Sequence, residues 1–264
     1  MNVIVCLKQV PDSKNIQIDP VTNTLQRQGV ESIVNPFDLY ALETALRIKD
    51  ELDGKVSVIS MGPPQAESAL REAISYGADE AVLLSDRRFA GADTLATSRT
   101  LAAGITKMGL FDLVICGKQA IDGDTAQVGP GLAQNLKVPH AAFVKKIQGI
   151  ENGRMVIHRM MDDGYDVVEI RLPALITVVK EIGEPRVPSF KAKMRAKKIE
   201  IPIWGCEDIG LAETVVGLAG SPTWVERIFA PEPRGGRELL EGEPEVQVAH
   251  LIRRLKEDQV IKLS

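Results

Sequence analysis

Short apolar runs alternate with helical periods from Val3 to Leu136, and this alternation constrains the fold more than any other feature. Val3–Leu7 is a continuous apolar run, as expected of a strand buried in a parallel sheet. Asn35-Pro36 reads as a helix start, with Asn as N-cap and Pro in the first turn. Leu39, Leu42, Leu46 and Ile48 then follow helical spacing approximately. Val56–Met61 reads as the next strand, and Gly62-Pro63-Pro64 turns it into a helix ending near Gly77, a C-cap. Ala81–Leu84 is a third strand, and the loop Asp86–Asp93 leads to a helix over Thr94–Lys107. Phe111–Cys116 is a fourth strand, followed by the loop Gly117–Thr125 and a helical segment ending near Leu136. Four such alternations specify βαβ units and a parallel sheet.

The expected class is therefore α/β: a Rossmann-like, doubly wound, mainly parallel sheet with right-handed crossovers and helices on both faces. Ligands of such sheets sit at the carboxyl ends of the strands, where every unusual loop of this chain falls. The pattern changes after Pro139. Ala141–Ile147, Arg154–Met160, Val167–Leu172 and Leu175–Val179 read as strands, split by Glu151-Asn152-Gly153 and Asp162-Asp163-Gly164. They suggest an antiparallel extension or edge. Residues 183–264 are rich in Pro and Gly and show one clear helix, near Val246–Lys256. The expected division is thus an α/β unit over 1–182 and, over 183–264, an arm without its own core that wraps something else.

A chain of 264 residues can bury a sizeable core without staples. Its net charge of -4 argues against a general nucleic-acid binder, and 4% aromatic residues are thin for base stacking. Cys6, Cys116 and Cys206 lie far apart and form no CxxC pair, so neither a disulfide framework nor a zinc site is suggested. A reducing, cytoplasmic setting is the expectation. No apolar run approaches the ~20 residues of a membrane helix, and the start MNVIVCLKQVPD lacks a signal-peptide pattern.

Three loops could carry chemistry. Asn35-Pro36-Phe37-Asp38 opens a helix whose free N–H groups could receive a ligand, or is a plain helix cap. The run from Gly117 to Gly129 is long for a βα connection. It is dense in polar side chains, and Gly117 and Gly123 permit close backbone approach. It matches neither a Walker loop nor GxGxxG; the plain alternative is a long surface loop. In Asp86–Thr97, Thr94 and Thr97 share one face of a helix start, with Asp93 as N-cap. A carboxylate there disfavours phosphate, whereas the hydroxyls suit a neutral, hydrogen-bonding ring; a threonine-rich first turn is the alternative. Lys191, Lys193, Arg195, Lys197 and Lys198 form a basic run, either a solvated face or a contact for an acidic protein. His140, His158 and His250 are scattered, and no nucleophile–base or paired-carboxylate arrangement stands out. Redox work by this chain would need a cofactor.

At Val5-Cys6-Leu7-Lys8-Gln9-Val10-Pro11-Asp12, Asn35-Pro36-Phe37-Asp38, Met61-Gly62-Pro63, Gly117-Lys118-Gln119-Ala120-Ile121-Asp122 and Glu184-Pro185-Arg186, the chain resembles the beta subunit of electron-transfer flavoproteins. The likeness covers nearly its whole length. In the ordinary type this subunit binds AMP; in the bifurcating type a second FAD takes that place and reacts with NADH. Asp86–Thr97 resembles the bifurcating signature, as does Asp122–Gly129, where ordinary members tend to have Asn at the position of Ala126.

The resemblance implies that Cys6, Asn35, Pro36, Phe37, Asp38, Met61 and Gly62 enclose the adenosine diphosphate part. They do so with Gly117, Lys118, Gln119, Ala120, Ile121, Asp122, Gly123, Asp124, Thr125, Ala126, Gln127 and Val128. Thr94 and Thr97, beside Asp93, would hydrogen-bond the isoalloxazine ring, with Phe89 and Gly91 toward the nicotinamide. Phe190 would be the apolar tip of a loop docking a partner dehydrogenase. The implied activity is electron bifurcation: NADH gives a hydride to the flavin, and one electron leaves for ferredoxin or flavodoxin. The other passes through the alpha-subunit FAD to a flavin dehydrogenase of acyl-CoA or lactate dehydrogenase type. The reverse, confurcation, is equally compatible. The rivals are the ordinary AMP-binding type and, from another class, a nonredox nucleotide-binding sensor module. No catalytic side chain and no metal are expected.

Overall fold

The computed structural model describes residues 1–12, 32–226 and 239–261, and the backbone of Gln17–Ile18 and Leu25–Gln26. Strands β1 (Asn2–Cys6), β2 (Gln9–Pro11), β3 (Gln17–Ile18), β4 (Leu25–Gln26) and β5 (Ser32–Val34) precede helix α1 (Pro36–Leu52). Then follow β6 (Lys55–Met61), α2 (Glu67–Tyr76), β7 (Glu80–Leu84), α3 (Thr94–Met108), β8 (Leu113–Gly117) and α4 (Val128–Leu136). β9 (His140–Glu151), β10 (Arg154–Met160), β11 (Tyr165–Arg171), β12 (Ala174–Val178), α5 (Phe190–Ala196), β13 (Ile203–Trp204) and α6 (Pro244–Glu257) complete the order. Met1–Glu226 form one compact unit and Arg227–Ser264 a second.

The main sheet runs β11-β10-β9-β12-β8-β1-β6-β7-β13. β1 pairs in parallel with β6 on one side and β8 on the other, so the winding direction reverses beside β1. Alternate residues of each central strand enter opposite cores. Val3 and Val5 join Leu42, Leu46, Leu70 and Ile74 beneath α1 and α2. Ile4 and Cys6 join Leu101, Ile105 and Leu132 beneath α3 and α4. The doubly wound parallel sheet expected from the apolar runs is present.

Two details differ from expectation. β9, β10 and β11 are antiparallel, but the fourth run, β12, is not part of that edge. It pairs in parallel with both β8 and β9, near the middle of the sheet. Its five residues are all buried, the pattern of a strand covered on both faces. The segment beyond Gly183 also holds more structure than one helix. α5 packs onto α2, with Arg71 Nη1 donating to the carbonyls of Ala196 (2.8 Å) and Ile199 (3.1 Å). β13 extends the sheet beyond β7. In the second unit α6 lies where a helix is expected, with Val246, Val248, Leu251 and Ile252 exposed.

Candidate functional site

The parallel strands β1, β6, β7 and β8 deliver their carboxyl ends to one edge of the sheet. The winding direction reverses between β1 and β8, the position at which ligands of such sheets bind. Cys6 and Cys116 are register partners at that point, both buried. The hydrogen bond with Cys6, together with burial, holds the Cys116 thiol well above its ordinary pKa. The pair is an unreactive floor rather than a nucleophile.

Asp38 ties the rim together. Its carboxylate accepts from the Lys8 N–H at 2.8 Å and also from the backbone N–H of Gly117. Burial pushes its pKa up to about 7, against the lowering effect of these bonds. Gly117 is required here: a Cβ would lie 2.7 Å from the Phe37 carbonyl carbon and overlap the Asp38 carboxylate. Asn35 departs from the plain-cap reading, because its side chain caps no backbone N–H of α1 and bonds instead to the Asp38 carboxyl and to a distant loop. Fully buried, it donates to the Gln119 carbonyl (2.8 Å) and accepts from the Ile121 N–H (3.2 Å). α1 therefore begins as the anchor of the Gly117–Gln127 loop.

That loop is shaped further by Lys8, whose Nζ lies 2.7 Å from Asp122, and by a Gln119–Asp124 hydrogen bond. Asp124 (φ 52°) and Ala126 (φ 55°) adopt left-handed backbone. For Ala126 this costs roughly 1 kcal/mol. Asp122, Gly123, Asp124 and Thr125 are exposed, while Lys118, Ala120, Ile121, Ala126 and Val128 are half-buried. Met61 and Gly62 complete the rim at the end of β6, the Gly62 N–H donating to the Leu84 carbonyl at 3.0 Å.

The starts of α3 and α4 face this edge and differ in charge. Asp93 closes α3: one carboxylate oxygen accepts from the N–H groups of Leu95 and Ala96, both at 3.0 Å. The other accepts from the Thr223 N–H (3.2 Å) and hydroxyl (2.9 Å). Burial pushes the Asp93 pKa up, but these bonds outweigh it and hold the group below its usual range. α4 has no side-chain cap and no acidic residue in its first turn. The two starts touch through Thr94, whose hydroxyl donates to Gln127 Oε1 at 3.0 Å. Thr97, half-buried one turn on, has no hydrogen-bond partner for its hydroxyl among the described residues. Phe89 is buried in the core below, and Gly91, at φ 73°, is exposed.

Sequence reasoning did not single out Phe143 or Thr177. Phe143 holds a left-handed φ of 60° in β9, its N–H donating to the Thr177 hydroxyl at 3.1 Å. Lys118 Nζ lies 5.6 Å from its ring centroid. A buried threonine in the otherwise apolar β12 was the available signal; nothing in the local sequence marks Phe143. On the other side of the sheet Phe190 is 80% exposed, with Val187 and Met194 exposed beside it. Among the described residues no group of three or more metal-ligating side chains occurs, and no helix is long and apolar enough to cross a membrane.

The rim lies at the switch point of an α/β sheet, where ligands of this class of fold bind. Residues 22–208 match the electron transfer flavoprotein domain. The chain is 53% identical over 263 residues to the caffeyl-CoA reductase-Etf complex subunit CarD of Acetobacterium woodii, covering 99% of this chain and 100% of that protein. It is 48% identical to the electron transfer flavoprotein subunit beta of Thermoanaerobacterium thermosaccharolyticum, again over 99% of this chain and 100% of the relative. The same subunit of Clostridium acetobutylicum is 48% identical, with the same coverage. The chain belongs to the electron-transfer flavoprotein family, as a beta subunit.

Proposed function

We propose that this beta subunit binds FAD at the switch point and exchanges a hydride with NAD(H), as part of a bifurcating or confurcating complex. The observation that carries this reading is the contrast between the two neighbouring helix starts. Asp93 bars an anionic group from α3, whereas the uncapped start of α4 offers free N–H groups to a diphosphate. A dinucleotide fits both: its phosphates at Gly123–Val128 and a neutral ring toward Thr94 and Thr97. AMP would leave the α3 side unused. The similarity to a subunit named for a caffeyl-CoA reductase-Etf complex adds support.

Bound FAD would supply two-electron exchange with the nicotinamide and one-electron exchange with other carriers. The chain's own part is to bind and orient. Asn35, Asp38 and Lys8 hold the Gly117–Gln127 loop against the adenosine side, with Cys6, Met61 and Gly62 lining the rim. Thr94 and Thr97 present hydroxyls from one helix face. Gly91, whose left-handed φ and close contact with Leu218 disfavour a Cβ, lies toward the nicotinamide, with Phe89 supporting the loop from the core. Phe190, among exposed Lys191, Lys193, Lys197 and Lys198, anchors a flavin dehydrogenase. An alpha subunit carrying the second FAD takes the C-terminal arm, and ferredoxin or flavodoxin takes the low-potential electron, all in the cytoplasm.

Extracting the nucleotides from the co-expressed heterodimer tests the reading. Two FAD per heterodimer are expected. One FAD plus one AMP would make this an ordinary carrier, and no flavin would leave a nonredox module.

A further inference from the structure

The Asp86–Asp93 loop is framed by a chain segment more than a hundred residues further along the sequence. Residues 205–223 run beside it and hold it at both ends and in the middle. At its start Asp86 Oδ2 accepts from the Cys206 N–H at 3.0 Å. At its end the Asp93 N–H donates to the Ser221 hydroxyl at 2.8 Å, and Asp93 accepts both donors of Thr223. Midway, the Leu218 N–H donates to the Ala90 carbonyl at 3.0 Å. Gly217, at φ 53°, lies so close that a Cβ would overlap the Arg88 carbonyl.

Arg88 is the centre of this frame. Its Nε donates to Asp86 Oδ1 (2.9 Å) and Nη2 to Asp86 Oδ2 (2.6 Å). Nη1 reaches Glu207 (2.6 Å) and Glu213 (2.9 Å), and Nη2 reaches Glu207 Oε2 (2.7 Å). The guanidinium is saturated by three carboxylates, which fixes its orientation as a single charge contact could not. The Glu207 and Glu213 side chains are 79% and 70% exposed, so these pairs add little to global stability. Their effect is geometric: they join residues 87–90 to a segment about 120 residues later in the chain.

We infer that Arg88, through Asp86, Glu207 and Glu213, is a positioning residue that fastens the Arg87–Ala92 loop onto residues 205–223 and so sets the path by which the nicotinamide reaches the site. This rests on the FAD and NAD(H) reading above. A loop displaced by about 1 Å is enough to cost large factors in hydride transfer.

The test uses the co-expressed heterodimer with R88Q, the pair E207Q/E213Q, and R154Q as a control. R154Q removes the surface ion pair with Glu169 on β10 and β11. Amide hydrogen exchange at Phe89, Ala90 and Leu218 is read without NADH, alongside FAD content and the NADH dependence of flavin reduction. R88Q is expected to speed exchange at these amides about tenfold and to raise the apparent KM for NADH about tenfold. E207Q/E213Q should do the same to a smaller extent and R154Q not at all, with two FAD retained throughout. Wild-type exchange and KM in R88Q would overturn the inference. Loss of FAD from R88Q would overturn it too, because Arg88 would then serve flavin binding or folding. Wild-type protein holding AMP in place of the second FAD would remove the reading beneath it, and the inference with it.

Discussion

Glu43 Oε2 accepts hydrogen bonds from both the backbone N–H (3.0 Å) and Nε (2.8 Å) of Arg186, 143 residues further along the chain. Arg47 adds a bond to Glu43 Oε1 at 2.8 Å and donates to the Glu184 carbonyl at 2.9 Å. Arg186 also reaches Asp50 at 2.9 Å. Helix α1 therefore carries the rim of the proposed nucleotide site at its amino end, through Asn35 and Asp38. On its later turns it carries the segment that leads to Phe190. Burial pushes the Glu43 carboxyl up, but the Arg186 and Arg47 bonds outweigh it and hold the group below its usual pKa.

Replacing Glu43 with Ala should release residues 184–190. The Arg186 side chain is one-third exposed and can rehydrate, so the expected loss is about 1–3 kcal/mol rather than the larger cost of a fully buried ion. Because the folded-state pKa is depressed, the Glu43 contribution is complete above the unfolded pKa and disappears as pH falls through the lower, folded value. Denaturation curves from pH 7 down to pH 3 should show wild type and E43A converging. A constant gap across that range would remove the ion pair as the source.

Phe190→Ala should leave nucleotide content and reduction by NADH unchanged while slowing electron delivery to the dehydrogenase. At 80% exposure the ring buries little surface within this chain, and as an interface anchor it would be worth on the order of 2 kcal/mol. Delivery measured at limiting partner concentration reads this directly. An unchanged rate would exclude Phe190 from docking.

Asp38 makes stability pH-dependent in the opposite sense. Burial raises its pKa to about 7, so the folded state favours the neutral acid. The benefit is full below the unfolded value near 4 and is lost as pH rises through about 7. Over that window wild type should lose up to about 4 kcal/mol relative to Asp38→Asn, which cannot ionise. Parallel pH profiles for the two proteins would contradict this.

The sheet was legible because its strands are buried on both faces, and the runs Val3–Leu7 and Val56–Met61 state this directly. β12 was legible as a strand but not in its place, since a run such as Ala174–Val178 does not name its neighbours. Most rim loops could be found because glycine and polar residues gather where strands end. Their wiring could not: the Asn35 side chain reaches Gln119 and Ile121, about 85 residues on, and Asp93 reaches Thr223, 130 residues away. The sequence ranks such partners no higher than any other asparagine or threonine. Phe143 and residues 205–223 stayed hidden for the same reason.

Ala126 offers a test of which nucleotide the loop suits. Its φ of 55° is a conformation that asparagine adopts more readily than alanine. Ala126→Asn should relieve about 0.5–1 kcal/mol of backbone strain while adding a larger side chain to the loop proposed to hold the nucleotide. The heterodimer is expected to melt slightly higher and to retain less FAD at this site. A variant that melts higher with its FAD content unchanged would show that the alanine leaves no space the flavin uses.

Thr94 and Thr97 bear most directly on the bifurcating reading. Replacing both with Val keeps shape and removes two hydroxyls. Part of the Thr94 effect is internal to the protein, because its hydroxyl donates to Gln127, so the single variants should differ. T94V loosens the contact between α3 and α4 and should weaken FAD binding through the loop as well as the ring. T97V removes a hydroxyl with no described protein partner, so its effect should appear only when FAD is bound. Each lost hydrogen bond should cost on the order of 1 kcal/mol, more if a buried partner is left unpaired. The loss need not be equal for oxidised and reduced flavin, because reduction changes where charge sits on the ring. The double variant should therefore bind FAD about tenfold or more weakly, show a shifted potential and accept hydride from NADH more slowly. The alpha-subunit flavin should stay loaded. NADH titration of the heterodimer without other partners, followed flavin by flavin, reads the potential; FAD retained after ultrafiltration reads the binding, and rapid mixing with NADH reads the hydride rate. Identical titrations for wild type and double variant would mean that no flavin ring lies against this face of α3.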